Sequence, residues 1–418
     1  MSSLLIEGPS RLSGEVSVRG AKNAALPVLL AGAVGRKTVR LSNVPVQMID
    51  IQSAIAALRH VGCGIDFDRD EVRIEPDGIR QSHLPAEIAG AFRSSLLFLS
   101  IFLGRFGEAR IYLPGGCNLG DRKFDLHLSG LEQLGAVVDT DDESITVSAK
   151  RLVGTDIQLY LPTTTGTENI MIAACFAEGR TRIFNANTRP EIVDLGNFLN
   201  LMGARVSVRN RVVEVEGPAD FSGGSYRVMC GWDEALTYMI AAGMTGGEIC
   251  IRDFDIRSIR GEISYLREAG IDVFDWGGNV YVSGKDKQLR PFDLFTAPYP
   301  GVNSDMQPLF AALAGCCHGE STITDQRFTE RFQYVAELQK LGHQIMSYGN
   351  CAVVRGPNEL IGAPVTAIDL RCGAALLISA LASRGETRID NAEQISRGYE
   401  EVANRFNRLG ARVARADG

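Results

Sequence analysis

The chain has 418 residues, a net charge of −7, 45% hydrophobic and 22% charged residues, which is the balance of a globular protein. The acidic balance argues against a general nucleic-acid binder, no apolar run reaches the roughly 18 residues of a membrane span, and no signal peptide opens the chain. Nine scattered cysteines without a CxxC pair favour reduced thiols in the cytoplasm, and five separated histidines give no metal-ligand spacing. We expect a cytoplasmic protein with no metal, no cofactor and no membrane or nucleic-acid partner.

An internal repeat organises the chain. Six times, roughly 70 residues apart, an apolar helix ends in a glycine before a β-like run, and a second helix then ends in another glycine. The first glycines are Gly35, Gly107, Gly179, Gly247, Gly319 and Gly385, and the second are Gly62, Gly135, Gly203, Gly270, Gly342 and Gly410. We expect an α/β fold of two domains, each with three such units. The domains are 22–229, and 230–418 together with 1–21, whose two strand-like runs would pair with the second half.

The first helix of each unit is apolar nearly all round, as expected of buried helices, but its first turn is polar. These turns carry Lys22 and Asn23, Arg93 to Ser95, Thr167 to Asn169, Asp233 and Glu234, Ser304 and Asp305, and Asp369 and Arg371. Helix capping is the simpler interpretation for Ser94, Thr167, Ser304 and Asp369.

Capping does not explain the cations Lys22, Arg93 and Arg371, because a positive charge at a helix N-terminus opposes the helix dipole. A bound anion would be stabilised by both the dipole and the side chains. Since the units are equivalent, three helix starts per domain should converge. The pattern predicts an interdomain cleft for an anionic substrate.

The segment LPGGCNLGDRKFDLH, residues 113–127, predicts a mobile glycine loop with Cys117 at its tip. A lone cysteine is usually a small buried hydrophobe, which is our interpretation of Cys63, Cys175, Cys250 and Cys316. A glycine loop is seldom core, and the cationic Arg122 and Lys123 follow, so a reactive thiol is favoured for Cys117.

A set of charged residues lies in the second half. Arg331 and Arg397 follow the strands after equivalent glycines, Arg371 opens a buried helix, and Asp305 starts another. An isolated surface arginine is usually a solvated charge, but the related positions of Arg331 and Arg397 favour a shared site.

Together the motifs GAKNAALP, PGGC-x-x-G-x-R-x-x-DLH, PEIVD, SDMQ, DLR and RGYE resemble the enolpyruvyl transferase family, especially its members that act on UDP-N-acetylglucosamine. The resemblance covers essentially the whole chain. It implies an inverted α/β barrel fold, two domains that close on substrate, and transfer of the enolpyruvyl group of phosphoenolpyruvate to a sugar hydroxyl through a tetrahedral ketal, with release of phosphate. This reaction is the first committed step of peptidoglycan precursor synthesis.

The resemblance also implies roles for individual residues. Lys22, Arg122 and Arg397 would hold the phosphate, Arg331 and Arg371 the carboxylate, and Arg93 would support both substrates. The catalytic set would be Cys117, which acts as the acid or assists product release and is the fosfomycin target, Asp305 as base, Asp369 near the reacting centre, and Lys22 and Arg397. The uridine-nucleotide acceptor would contact Asn23, Arg93, Arg122, Asp125, Leu126, His127, Thr163, Thr164, Thr165, Asp305 and Arg327.

The acceptor side departs from the family pattern. Leu161 stands where a lysine is common, Gly231 and Trp232 replace an Asp-Arg pair, and Lys123-Phe124 replace Pro-Val. The hydroxyls that follow Leu161 could still bind phosphate oxygens. The acceptor is therefore UDP-N-acetylglucosamine or, alternatively, another uridine nucleotide such as uridine monophosphate in nucleoside-antibiotic synthesis.

Two other classes remain as alternatives. Six repeated units could build a non-catalytic clamp on DNA, which the Cys117 loop, the arginines and the negative charge disfavour. An inactive relative that only binds ligands is disfavoured because Lys22, Cys117, Asp305 and Arg397 are all present. The sequence leaves the oligomeric state open.

Overall fold

The computed structural model describes residues 2–113, 124–328 and 331–417. Its strands are β1 (Ser2–Gly8), β2 (Ser13–Ser17), β3 (Val39–Ser42), β4 (Gly64–Asp68), β5 (Glu71–Glu75), β6 (His83–Leu84), β7 (Glu108–Tyr112), β8 (Val137–Thr140), β9 (Ser144–Ser148), β10 (Asp156–Gln158), β11 (Gly179–Phe184), β12 (Arg205–Arg209), β13 (Val212–Gly217), β14 (Gly224–Arg227), β15 (Glu248–Arg252), β16 (Asp272–Trp276), β17 (Asn279–Ser283), β18 (Asp293–Phe295), β19 (Gly319–Thr324), β20 (Gln344–Tyr348), β21 (Cys351–Gly356), β22 (Pro364–Thr366), β23 (Gly385–Asp390) and β24 (Val413–Asp417).

The α-helices are α1 (Lys22–Ala31), α2 (Ile49–His60), α3 (Ala86–Ala89), α4 (Phe98–Phe106), α5 (Asp125–Gln133), α6 (Thr164–Ala174), α7 (Pro190–Leu201), α8 (Trp232–Met244), α9 (Arg260–Glu268), α10 (Gln307–Ala314), α11 (Val335–Lys340), α12 (Leu370–Ala382), α13 (Glu393–Ser396) and α14 (Val402–Arg408). Short 3-10 helices span Pro76–Gly78, Arg93–Leu97, Ile256–Ile259 and Ser304–Met306. No helix in these described ranges is long and apolar enough to cross a membrane.

The described chain divides into two compact units. The N-terminal unit comprises residues 20–113 and 124–230, and the C-terminal unit comprises 2–19, 231–328 and 331–417. The sheets of the N-terminal unit have the orders β14-β3-β5-β4, β6-β7-β9-β8 and β10-β11-β13-β12. Those of the C-terminal unit are β2-β15-β17-β16, β18-β19-β21-β20 and β22-β23-β1-β24.

Every one of these sheets repeats the same arrangement. Its first two strands are parallel, and the third and fourth add antiparallel, as in β6-β7-β9-β8. The alternation of buried and exposed residues along β5 shows one face on the core and one on solvent. The repeat in sequence is thus a repeat of one sheet with its buried helix.

The glycines that define the repeat have a backbone reason. Apart from Gly35 and Gly247, all of them have a positive φ, for example 95° at Gly62 and 78° at Gly107. Side chains on L-residues disfavour this region, so glycine adopts it without a steric penalty. Gly107 and the six second glycines follow helix ends, as predicted, whereas Gly179, Gly319 and Gly385 are the first residues of β11, β19 and β23, so the helices before them end earlier than the sequence suggested.

Strands from distant parts of the chain complete two sheets of the C-terminal unit and one sheet of the N-terminal unit. In the C-terminal unit, β1 pairs with β23 and β24, and β2 pairs with β15, so the prediction for the opening strands is confirmed. In the N-terminal unit, β14 pairs with β3.

Apolar helices fill the interior of each unit. In the C-terminal unit α8, α10 and α12 contact one another, and they are buried along nearly their whole lengths. Burial on every side removes the polar face that a surface helix needs, which explains their uniform apolar sequence. Of the cysteines interpreted as core residues, Cys63, Cys175 and Cys250 are buried, while Cys316 is partly exposed.

Candidate active site

A charged cluster forms in the C-terminal unit where its three buried helices begin. Asp233 lies in the first turn of α8, Asp305 in the 3-10 helix that leads into α10, and Arg371 in the first turn of α12. The Asp369 side chain caps α12 by accepting from the backbone N–H groups of Arg371 at 2.7 Å and Cys372 at 2.9 Å. This cap fixes the turn that carries Arg371.

The guanidinium of Arg371 is held inside this cluster, with only 3% of the side chain exposed. Its Nη2 donates to Asp233 Oδ2 at 2.6 Å and to Asp305 Oδ2 at 3.4 Å, and its Nη1 donates to the Tyr399 hydroxyl at 3.3 Å. Burial opposes the positive charge, but the carboxylates of Asp233 and Asp305 outweigh it and raise the pKa of Arg371 well above its ordinary value.

Arg331 brings a second buried guanidinium to Asp305. Its Nη2 lies 2.9 Å from Asp305 Oδ1, and 3% of the side chain is exposed. Within the described part of the chain, Nε and Nη1 of Arg331 and Nε of Arg371 are buried without a hydrogen-bond partner. Buried donors without acceptors are unfavourable, so these N–H groups together favour an anionic ligand.

Asp305 is the most accessible of these charged groups, with 30% of its side chain exposed. Its two oxygens contact different arginines, which fixes the carboxylate while leaving it open to solvent. A carboxylate that is held in this way beside an anion site can accept a proton from a bound hydroxyl.

Asp325 organises the chain around Asp305 and was missed by the sequence analysis. It is 1% exposed and accepts hydrogen bonds from the hydroxyls of Ser304 and Thr296 and from the backbone N–H groups of Arg327 and Phe328. Its position directly after β19 was the available signal, since a polar residue at a strand end often organises the following loop.

The other predicted residues of the C-terminal unit lie in nearby loops. The Arg327 and Arg331 guanidiniums lie 5.6 and 5.5 Å from the centre of the Phe328 ring. Arg397 follows α13, and its Nη1 donates to Gln394 Oε1 at 3.3 Å. The roles of Arg327 and Arg397 with substrate remain predictions.

In the N-terminal unit, Lys22 begins α1 beside the half-buried Asn23. Its Nζ lies 3.1 Å from Asp50 Oδ2, which belongs to the first turn of α2. The Arg93 guanidinium lies 5.5 Å from the Phe124 ring centre. The cations at helix starts therefore have partners within the protein, and their position alone does not require a ligand.

A second predicted set meets at the start of α6. His127 is buried, its Nε2 lies 3.2 Å from Thr165 Oγ1, and its Nδ1 lies 3.2 Å from Asn169 Nδ2. Burial, and then the charge of Arg93, lowers the pKa of His127 to about 3, so the imidazole is neutral. Because the amide of Asn169 donates to Nδ1, Nε2 carries the proton toward Thr165.

Four further predicted acceptor residues lie directly before this histidine in the chain or at the start of α6. Asp125 accepts a hydrogen bond from the Tyr160 hydroxyl, and Leu126 is buried. Thr164 Oγ1 accepts from Asn187 Nδ2 at 3.0 Å, and Thr163 caps α6 by accepting from Gly166 N at 3.4 Å.

Three of the four predicted helix caps were wrong. Thr163, not Thr167, caps α6, and Asn303, not Ser304, caps the 3-10 helix of Asp305. The helix of Ser94 begins after Phe92 without a side-chain cap. Runs of polar residues offer several cap candidates, and the backbone of the preceding residue decides among them. The cap at Asp369 is confirmed.

Cys117 and Arg122 lie outside the described residues, so their predicted roles have no structural account.

The sequence analysis also missed a buried acidic residue, Glu168, which follows these threonines on α6. It is 2% exposed, and burial, then the neighbouring Glu191, raises its pKa to about 8 against the opposing charge of Arg189. Arg189 Nη2 lies 3.1 Å from Glu191 Oε1. Glu168 is thus protonated at neutral pH.

Glu168 should make stability depend on pH. Its pKa in the folded protein, about 8, exceeds the ordinary value of 4.5, so folding favours the protonated carboxyl group. This contribution to stability is fully present below pH 4.5 and is lost as the pH rises from 4.5 toward 8. The loss reaches at most about 1.4 kcal/mol per pH unit. Glu168→Gln should remove this pH dependence. As the pH is raised from 5 to 8, the thermal unfolding midpoint of the variant should therefore rise relative to that of wild type. Parallel curves for the two proteins would contradict this.

Comparison with known proteins identifies relatives along nearly the whole length of the chain. Residues 6–406 match the model of EPSP synthase (3-phosphoshikimate 1-carboxyvinyltransferase). The chain is 38% identical to a UDP-N-acetylglucosamine 1-carboxyvinyltransferase of Hydrogenovibrio crunogenus, covering 100% of both chains. It is 41% identical to a protein of the same name from Desulforapulum autotrophicum, covering 99% of this chain and 100% of the relative.

The chain belongs to the EPSP synthase (3-phosphoshikimate 1-carboxyvinyltransferase) family.

A solved structure agrees with this at the level of fold. The enolpyruvyl transferase NikO of Streptomyces tendae superposes with a TM-score of 0.90 at 23% identity, covering 100% of this chain and 99% of the other. The predicted family, the inverted α/β barrel fold class and the class of enzyme, an enolpyruvyl transferase, are confirmed.

Within this enolpyruvyl transferase, the positions that depart from the family pattern have different surroundings. Leu161 is 39% exposed just before α6, while Trp232 is 3% exposed as the first residue of α8. Trp232 is thus part of the core of the C-terminal unit, and the neighbouring Asp233 supplies the charge at this helix start.

Proposed function

We propose that the protein transfers the enolpyruvyl group of phosphoenolpyruvate to a hydroxyl of UDP-N-acetylglucosamine and releases phosphate, the first committed step of peptidoglycan precursor synthesis. The observation that carries this proposal is the pair of buried guanidiniums, Arg331 and Arg371, whose N–H groups without a partner among the described residues lie in the same cluster as the accessible carboxylate of Asp305. The names of full-length relatives at about 40% identity support the choice of acceptor.

The reaction needs an acid, a base and charge stabilisation. Protonation of the methylene carbon lets the sugar oxygen bond to the adjacent carbon, which forms a tetrahedral ketal. A base of the site then takes a proton from the new methyl group, and the electrons of that C–H bond restore the double bond while phosphate leaves with the electrons of the C–O bond. In the proposal, Asp305 accepts the hydroxyl proton, Cys117 supplies the acid, and Asp369 holds the turn of Arg371.

The two charged ends of phosphoenolpyruvate need different residues. Arg331 and Arg371 hold the carboxylate, since guanidinium N–H pairs match carboxylate oxygens. Lys22, Arg122 and Arg397 hold the phosphate, and Arg93 supports both substrates. Lys22 would exchange its contact with Asp50 for the phosphate.

The acceptor is placed on the N-terminal unit in this proposal. Its set is Asn23, Arg93, Arg122, Asp125, Leu126, His127, Thr163, Thr164 and Thr165, together with Asp305 and Arg327 of the C-terminal unit. Neutral His127 suits hydrogen bonding rather than charge pairing. A second candidate acceptor is uridine monophosphate, because Leu161 supplies no cation for a diphosphate. The cytoplasmic location and the absence of nucleic-acid and membrane partners remain predictions.

Phosphate release tests the function. Purified protein is incubated with phosphoenolpyruvate and either UDP-N-acetylglucosamine or uridine monophosphate. Release with the sugar nucleotide supports the proposal, and release only with the monophosphate supports the second candidate. No release with either acceptor would overturn both.

Cys117 gives a separate prediction. Cys117→Ala should cripple turnover or product release, whereas Cys117→Asp should keep activity, because a carboxylic acid can replace the thiol as proton donor, and should abolish inactivation by fosfomycin. Time-dependent loss of phosphate release in the presence of fosfomycin measures both effects. Full activity and full fosfomycin sensitivity in both variants would exclude Cys117 from the mechanism.

A further inference from the structure

Asp233 is the carboxylate closest to Arg371, yet neither the sequence motifs nor the proposed mechanism gives it a role. We propose that Asp233 and Tyr399 are positioning residues, which hold the Arg371 guanidinium in the orientation that binds the substrate carboxylate. The proposal rests on the function proposed above and adds two residues to the same site.

One contact to Arg371 comes from α8 itself, and the other comes from Tyr399, which is hydrogen-bonded to α8. Asp233, in the first turn, is 7% exposed at its side chain and lies 2.6 Å from Arg371 Nη2. Tyr399 lies 3.3 Å from Nη1, and its hydroxyl is 2.8 Å from Thr237 Oγ1, one turn further along α8. Contacts at two different nitrogens fix the plane of a rigid guanidinium. The Nε–H group is left without a partner among the described residues, so it stays available to a ligand.

Asp233 also keeps Arg371 from pairing fully with Asp305. Both carboxylates contact the same Nη2, but Asp305 is the more distant at 3.4 Å. If Asp233 lost its charge, Asp305 would be the only carboxylate that the described structure offers to this buried guanidinium. Since a buried charge needs a partner, Arg371 would shift toward Asp305 and away from the substrate.

The neighbouring residue supplies a matched control. Glu234 lies in the same turn and is also buried, but it pairs with Arg405 at 3.5 Å and accepts from the Tyr238 hydroxyl at 2.8 Å. These contacts support the fold, and neither of them involves Arg371. Glu234→Gln and Asp233→Asn each neutralise one buried carboxylate of the same helix turn.

Steady-state kinetics with phosphoenolpyruvate as varied substrate separate the two roles. Asp233→Asn should raise the KM for phosphoenolpyruvate about tenfold, which is the effect of weakening one hydrogen bond to a charged group. Tyr399→Phe should raise it about fivefold, as an uncharged hydroxyl is a weaker acceptor for the guanidinium than a carboxylate. Because Arg371 binds the carboxylate before and during the reaction, kcat should change much less than KM. Glu234→Gln should lower the thermal unfolding midpoint but leave KM unchanged.

The outcomes distinguish this inference from the function on which it rests. Wild-type turnover combined with an unchanged KM in both Asp233→Asn and Tyr399→Phe would overturn the positioning role and leave the function standing. An equal rise of KM in Glu234→Gln would also overturn it, since the effect would then be structural. If Asp233→Asn does not fold, Tyr399→Phe against Glu234→Gln decides. A wild-type protein without turnover on either acceptor would overturn the proposed function and this inference with it.

Discussion

Arg331→Lys should raise the KM for phosphoenolpyruvate about 100-fold, since two hydrogen bonds to a charged ligand are lost or weakened. Lysine retains the positive charge, but its single ammonium cannot present the paired N–H groups of a guanidinium. Among the described residues, Nε and Nη1 of Arg331 are buried donors without partners, while Nη2 is occupied by Asp305. The substitution therefore tests these unpartnered N–H groups rather than the charge.

A matched buried arginine controls for packing. Arg405 is 7% exposed, its Nη1 lies 3.5 Å from Glu234 Oε1, and its Nε donates to the Glu400 carbonyl at 3.0 Å. Arg405→Lys should lower the unfolding midpoint without changing the KM for phosphoenolpyruvate. Losing one hydrogen bond to a charged group should raise KM by much more than about threefold. If Arg331→Lys leaves KM within about threefold of wild type, Arg331 does not bind the carboxylate.

The repeat made much of the fold accessible from sequence. Recurring glycines mark helix ends at positive φ, and a backbone requirement of this kind is visible in a single chain. The same equivalence predicted that buried helix starts would converge, and Asp233, Asp305 and Arg371 do meet in the C-terminal unit.

Side-chain pairing could not be predicted in the same way. Asp233 and Arg371 are 138 positions apart, and no local pattern indicates that the acid at one helix start neutralises the cation at another. Likewise, Lys22 suggested an anion because its helix position is unfavourable for a cation, but Asp50 on the neighbouring helix meets its charge. A cation at a helix start indicates some negative partner, and only the structure shows whether the protein supplies it.

The burial of individual polar groups could not be predicted from sequence either. The raised pKa of Glu168 and the hydrogen bonds to Asp325 both depend on complete burial, and the identity of a polar residue does not indicate that it is buried. Asp325 follows a strand and Glu168 follows a run of threonines, and each position is equally typical of an exposed residue.

Asp305→Asn should lower kcat about 1,000-fold, the range expected for loss of a general base. The asparagine amide keeps the shape of the side chain but cannot take the proton of the attacking hydroxyl. The KM for phosphoenolpyruvate should not rise, because Arg331 and Arg371 each lose a competing carboxylate at 2.9 and 3.4 Å. Loss of kcat at constant KM is the signature of an interaction that acts in the transition state alone, and a lower KM would report the loss of the competing carboxylate.

Thermal unfolding separates this chemical role from a structural one. Asp305 is 30% exposed but pairs with two buried guanidiniums, so Asp305→Asn should lower the unfolding midpoint modestly. Asp325→Asn changes a carboxylate that is 1% exposed and accepts several hydrogen bonds, so it should lower the midpoint by several degrees. A loss of kcat in Asp305→Asn that Asp325→Asn does not reproduce at an equal or larger fall of the midpoint supports Asp305 as the base. A general base contributes more than about tenfold to kcat. If Asp305→Asn keeps kcat within about tenfold of wild type, another group must therefore take the hydroxyl proton.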